Sequence, residues 1–150
     1  VTTTKSDISC NNVNDGEAAA FGTGGTGALS YAWSSGPNSQ NITGLAESTY
    51  NVTVTDANAC SASDGVFVSN PPLLTVSLVA TDVTCNGDMD GAVDSTASGG
   101  VGSYSYLWSN GATSEDLSGL GGGSYSVTVS DANNCQATTA PATVTDPDLV

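Results

Sequence analysis

The stretch SYAWSSG, Ser30 to Gly36, returns as SYLWSNG, Ser105 to Gly111, and the first half of the chain slides onto the second with an offset of 75 residues. Cys10 falls on Cys85, Asp15-Gly16 on Asp90-Gly91, Gly24-Gly25 on Gly99-Gly100, and Trp33 on Trp108. The match runs on through Tyr50 and Tyr125, Asp56-Ala57-Asn58 and Asp131-Ala132-Asn133, to Cys60 and Cys135, without a gap. A fixed period constrains everything else, because each copy must be a foldable unit. The expected division is residues 1–72 and 73–150, with Pro71-Pro72 as a short, semi-rigid joint, since neither proline has an N–H and each fixes its own φ. The C-terminal Asp146-Pro147-Asp148-Leu149 is matched to Pro71-Pro72-Leu73-Leu74, so the end of the second unit is expected to enter the linker to a further repeat.

Alternating apolar and polar residues mark strands over Leu29 to Trp33, Thr49 to Thr55 and Ser61 to Ser69. The second copy repeats this over Tyr104 to Trp108, Ser124 to Val129 and Gln136 to Val144, and adds Leu74 to Thr81. Between them lie clusters of Gly, Asn, Asp and Ser, the residues of turns. No segment has a period of 3.6. The predicted fold class is all-β: two tandem, small, immunoglobulin-like antiparallel β-sandwiches. Alternation puts Tyr31 with Trp33, and Tyr106 with Trp108, on one face of a strand, which predicts that each unit fills its own core with one indole.

The chain has one lysine, no arginine, no histidine and 15 acidic residues, a formal charge of -14. That field repels phosphate backbones and anionic membranes, so no nucleic-acid partner is expected. No apolar run is long enough to insert directly into a membrane, and the start lacks the pattern of a signal peptide, so the sequence reads as a mature fragment.

Cys10, Cys60, Cys85 and Cys135 lack the close pairing of zinc ligands. Four cysteines allow three disulfide connectivities, of which only Cys10–Cys60 with Cys85–Cys135 lets each repeat close on itself. Those pairs are the expectation, together with an oxidising, extracellular compartment.

The pattern Cys-Asn, Asp-Gly, Gly-Gly, Tyr-x-Tyr-x-Trp-Ser-x-Gly, Gly-Leu, Tyr-x-Val-x-Val-x-Asp-Ala-Asn-x-Cys resembles the SprB-type repeat of bacterial gliding-motility adhesins. The second copy matches it from Cys85 to Cys135; the first departs at Leu29 and at Glu47-Ser48. The resemblance implies a module of large, secreted cell-surface and filament proteins exported by the type IX system.

Candidate chemistry is sparse. An enzyme is not expected, because no histidine exists and the nucleophile–base pairs of common mechanisms cannot be assembled. No cofactor is required. Asn86, Asp88 and Asp90 stand at the first, third and fifth positions of an EF-hand-like loop followed by Gly91, the oxygen-rich pattern that suits Ca²⁺. Ala97 stands where the loop needs its glutamate, and a turn closed by aspartate side chains explains the same letters and is favoured. Tyr104, at a strand start, is the aromatic to watch for stacking on a polysaccharide or another surface ligand.

The leading expectation is a rigid, disulfide-clamped spacer in an extracellular adhesin, stalk or filament at the cell surface, with neighbouring repeats as partners. A carbohydrate or surface-ligand binding module and a self-assembling filament subunit are the alternatives.

Overall fold

Alternation of side chains produces strands almost throughout the computed structural model, which describes residues 1–148 and contains no helix among them. Two units, Val1–Pro71 and Pro72–Val150, divide the chain. The first comprises β1 (Thr2–Ser6), β2 (Gly16–Phe21), β3 (Ser30–Trp33), β4 (Asn41–Leu45), β5 (Ser48–Thr55) and β6 (Ser61–Val68). They form two antiparallel sheets, β1-β2-β4 and β3-β5-β6. The inward residues of the two sheets make the core: Ala18, Ala20, Ile42 and Leu45 from one, Trp33, Tyr50, Val52, Val54 and Val68 from the other. This is an immunoglobulin-like sandwich, with the indole of Trp33 4% exposed at its centre.

The second unit repeats the plan with β7 (Thr75–Thr81), β8 (Gly91–Ser98), β9 (Ser105–Trp108), β10 (Leu117–Leu120), β11 (Gly123–Tyr125), β12 (Val127–Ser130), β13 (Gln136–Thr138) and β14 (Ala142–Val144). Its sheets are β10-β8-β7, β13-β12-β9 and the two-stranded β11-β14. Trp108, 2% exposed, occupies the place of Trp33, with Val93, Leu117, Leu120, Val127, Val129 and Val144 around it. In both units the indole is anchored by its N–H, which donates to the Ser39 carbonyl in one and the Ser114 carbonyl in the other, both at 2.9 Å.

The structure departs from the sequence reading by adding β1, β2, β4, β8 and β10, which the alternation does not mark, and by splitting each of the runs 124–129 and 136–144 into two strands. Strands β2 and β8 carry GEAAAF and GAVDSTAS, small residues of weak β-propensity that hide the alternation of their burial. The offset of 75 also fails beyond Cys135. Gly16 lies under Val68 and Gly91 under Val144, so close that a Cβ on either glycine would stand 2.6 and 2.7 Å from the valine Cγ1.

Ser69 donates its amide to Asp7, and Thr145 does the same to Asp82. The offset there is 76, and Asp146 therefore takes the place of Asn70, not Pro71. The extra residue is absorbed between β13 and β14. Pairing there moves by one residue, from Thr128 opposite Thr138 to Tyr125 opposite Ala142, across a segment containing Pro141, which has no N–H for the ladder.

Candidate functional site: the two poles of each repeat

Strand β1 runs beside β6, tied by Thr3 Oγ1 to Asp64 at 3.0 Å, the Ser69 amide to Asp7 at 2.8 Å, and the Ile8 amide to the Ser69 carbonyl at 3.1 Å. The beginnings of both strands therefore share one pole of the sandwich and their ends share the other. Val1 and Cys60 line a cleft at the first, here termed the entry pole. At the opposite, exit pole, Asn11 donates its side-chain amide to the Pro71 carbonyl at 2.8 Å and the Asn12 amide donates to Asn70. Cys10 immediately precedes these residues.

The second unit has the same poles. Gly100 donates to the Pro72 carbonyl at 2.9 Å beside the Asp131–Cys135 turn, and Asn86 donates to the Pro147 carbonyl at 2.7 Å beside Cys85.

This geometry overturns the expected disulfides. The hairpin between the poles of the first unit is built of eight-residue strands, about 26 Å long at ~3.3 Å per residue, and β11 with β12 spans the same run, 123–130, in the second, whereas bonded cysteines have Cα atoms within about 7 Å. Cys10 cannot reach Cys60, nor Cys85 reach Cys135. Cys60 and Cys85 are free, exposed thiols, whereas Cys10 and Cys135 are disulfide-bonded and half-buried. Each unit holds one bonded and one free cysteine, and neither is closed by its own pair.

Aspartates build the frame around every cysteine. At the entry poles, Asp56 accepts the amides of Thr26, Asn58 and Cys60, each at 2.9 Å. Asp131 accepts those of Val101 at 2.8 Å and of Asn133 and Cys135 at 2.9 Å. Burial works to raise the Asp131 pKa, but the amides of Val101, Cys135 and Asn133 outweigh it and the net shift is downward. Asp56 is lowered mainly by the Thr26 and Cys60 amides. The Asp-Ala-Asn-x-Cys motif is thus an aspartate-centred turn that pins the glycine-rich loop and fixes the cysteine backbone. Ala59 and Asn134, just before the cysteines, have φ of 65° and 63°, the left-handed conformation that such a turn requires.

At the exit poles, Asp15 is held by the hydroxyl and amide of Ser9, and Asp90 by those of Thr84, which keep both carboxyls below the usual range.

The Ca²⁺ candidates are already engaged in this scaffold. Both Asp90 oxygens accept from Thr84, the Asn86 amide holds Pro147, and Asp88 is exposed, its amide donating to the Cys85 carbonyl. Among the described residues no cluster of three or more acidic or cysteine side chains converges on a metal-sized site. Tyr104 is half-buried against the core, and its hydroxyl donates to the Gly99 carbonyl at 2.7 Å. Its ring packs against the core of the second unit.

The SprB repeat family model matches residues 2–38 and 77–113, the first three strands of each unit with their tryptophan. The chain carries two SprB repeats. In each SprB repeat the match covers the exit-pole cysteine, and the aspartate-centred turn with the entry-pole cysteine lies downstream of it. SprB repeats occur in cell-surface and extracellular proteins.

Among solved structures, the chain is similar to the C-terminal 282-residue fragment of intimin in complex with the intimin-binding domain of the translocated intimin receptor. Identity is 15% and the TM-score 0.46, over 99% of this chain and 64% of that one. Fibronectin(III)-like modules of Clostridium thermocellum CbhA match at 15% identity and a TM-score of 0.37, over 95% and 92%. The SprB repeat pair thus spans 64% of the length of the intimin fragment. No curated protein matches.

Proposed function

We propose that this repeat pair is a non-catalytic spacer of an extracellular stalk, adhesin or filament, whose task is to hold a more distal part of its protein away from a surface. The observation that carries this reading is that the chain enters each unit at one pole and leaves at the other, with its terminal segments hydrogen-bonded there. Pro71 is held by Asn11, Pro72 by Gly100 and Pro147 by Asn86. Units that pass the chain from pole to pole add length with every copy.

The surface fits the role. The net charge of -14 keeps neighbouring stalks apart, with divalent cations acting as diffuse screening and not as ligands of a built site. Stiffness within a unit comes from its own core and not from a covalent clamp. With no histidine and a single lysine, acid–base pairs built on those residues cannot be assembled, and only carboxylate pairs are left for such chemistry.

The test is small-angle scattering on arrays of two, four and six units in reducing buffer. Maximum dimension is expected to rise linearly, by roughly 30–40 Å per unit, the strand length at ~3.3 Å per residue plus the loops at both poles. Growth that levels off with copy number, as in a collapsed cluster, overturns the spacer reading.

A further inference from the structure

We propose that Cys60 and Cys85 are covalent docking sites for a second copy of this chain, the exit-pole Cys85 of one copy bonding to the entry-pole Cys60 of the next. The inference goes beyond the spacer reading and rests on it only for the direction in which copies follow one another.

Two independent observations carry it. First, the free thiols lie at poles of opposite type, Cys85 where the chain leaves the second unit and Cys60 where it enters the first, and both are exposed. Second, their counterparts in the other repeat are disulfide-bonded: Cys10 occupies the position of Cys85, and Cys135 that of Cys60. The bonded sulfurs comprise one exit-pole and one entry-pole cysteine. The free ones comprise one of each as well. The frame is the same in both states, since Asp56 holds the Cys60 amide as Asp131 holds that of Cys135, and Asp90 is clamped by Thr84 as Asp15 is by Ser9. Each free thiol is therefore presented by a backbone already shaped as at a bonded position, and what it lacks is a second sulfur.

The chemistry is a two-electron oxidation. Two S–H bonds and the S–S bond of a small-molecule disulfide such as oxidised glutathione break, one protein S–S bond forms, and the two electrons and two protons released by the protein thiols convert the small-molecule disulfide to two thiols. Such an oxidant belongs to the compartments in which protein disulfides persist.

The experiment incubates the 150-residue chain with oxidised glutathione and reads mass on a non-reducing gel, then maps crosslinked peptides. The wild type is expected to give a ladder in steps of 14.8 kDa that collapses on reduction and contains the Cys60–Cys85 peptide. C60S alone and C85S alone are expected to lose the ladder, whereas their mixture restores a dimer joined through Cys85 of the first and Cys60 of the second.

Three results overturn the proposal: no ladder from the wild type, single-variant dimers as abundant as those of the mixture, or Cys60 and Cys85 recovered in bonds within their own chain. Because scattering in reducing buffer involves no disulfide, failure of the crosslink leaves the spacer test intact. Failure of the spacer leaves the crosslink to be read on its own.

Discussion

The carboxylate of Asp131 accepts the backbone amide of Cys135 at 2.9 Å, and the same bond recurs, at the same distance, between Asp56 and Cys60. One cysteine of this pair is disulfide-bonded and the other is a free thiol. The turn is therefore set by the aspartate and not by the sulfur. Local hydrogen bonding shapes the position first, with the sulfur free in one repeat and bonded in the other. That order explains why Asp-Ala-Asn-x-Cys is spelled as a unit in both repeats.

Asp131→Asn is expected to loosen this turn more than Asp56→Asn does. Asp131 is only 5% exposed and engages three amides, so replacing one oxygen by an NH₂ group sets donor against donor and leaves a buried amide unpaired. Asp56 is less buried, and water replaces part of what is lost. Amide hydrogen exchange reads the difference directly. Val101, Asn133 and Cys135 should lose protection by a larger factor in the first variant than Thr26, Asn58 and Cys60 lose in the second, and the melting point should fall by several degrees only in the first. Equal losses would mean that burial of the turn contributes nothing.

Acid should unfold the protein from below its carboxylate range. The Lys5 ammonium, then the Ser69 amide, lower Asp7 from 3.8 to about 2. Asp15, Asp56, Asp64, Asp90 and Asp131 are lowered as well. A carboxylate with a depressed pKa in the folded state binds fewer protons folded than unfolded. Its contribution is complete above the unfolded pKa and disappears as the pH falls through the folded one. Thermal stability is expected to be flat above about pH 5 and to drop steadily between about pH 4 and 2. The measurement belongs in high salt, where self-repulsion from the net charge of -14 is screened. Asp7→Asn should flatten the lowest part of the curve, and an unchanged profile would remove Asp7 from the account.

Each unit owns its core, so a core truncation should be felt by one unit only. Trp33→Ala removes an indole that is 4% exposed and strands the Ser39 carbonyl; Trp108→Ala does the same to Ser114. The cost of such a change, about 3–5 kcal/mol, equals what a core of this size supplies, about 3–5 kcal/mol. Near-ultraviolet circular dichroism should then show half of the tryptophan signal lost in either variant, with the other unit's signal and its melting retained. Loss of both signals from one substitution would mean that the units fold as one.

Much of this organisation is written in the sequence. Tyr31 and Trp33 alternate with Ala32 as strand residues do, the second copy repeats them, and all-β cores follow. Strand β2 escaped because three consecutive alanines carry no contrast, although Ala18 and Ala20 are buried and Ala19 is only half so. The expected disulfides fail for a different reason. Two cysteines in one repeat suggest a pair, but Cys10 follows the first strand and Cys60 precedes the last. Where those strands run side by side, their flanking residues point to opposite poles. That placement was a usable signal. The one-residue insertion after Cys135 hid behind Pro141, because the offset of 75 holds up to that cysteine and the linker prolines tolerate either alignment.

The corrected alignment makes its own prediction, at the contact that revealed it. Gly91 lies against Val144, and an added Cβ would meet the valine Cγ1 at 2.7 Å and the Leu120 carbonyl oxygen at 2.8 Å. Gly91→Ala should therefore cost about 1–3 kcal/mol as an overpacked core position. Val144→Ala alone opens a void at a side chain that is 1% exposed, and is expected to cost about the same or more. Combined, the new methyl enters the space that the valine vacates, so the double variant should be more stable than the sum of the two losses predicts, by about 0.5–3 kcal/mol of coupling. Rescue is limited by the Leu120 carbonyl, which Val144→Ala does not move. Chemical denaturation of the four proteins closes the cycle. Had the offset of 75 held through this strand, Thr143 would occupy the place of Val68, and Thr143→Ala, not Val144→Ala, would couple to Gly91.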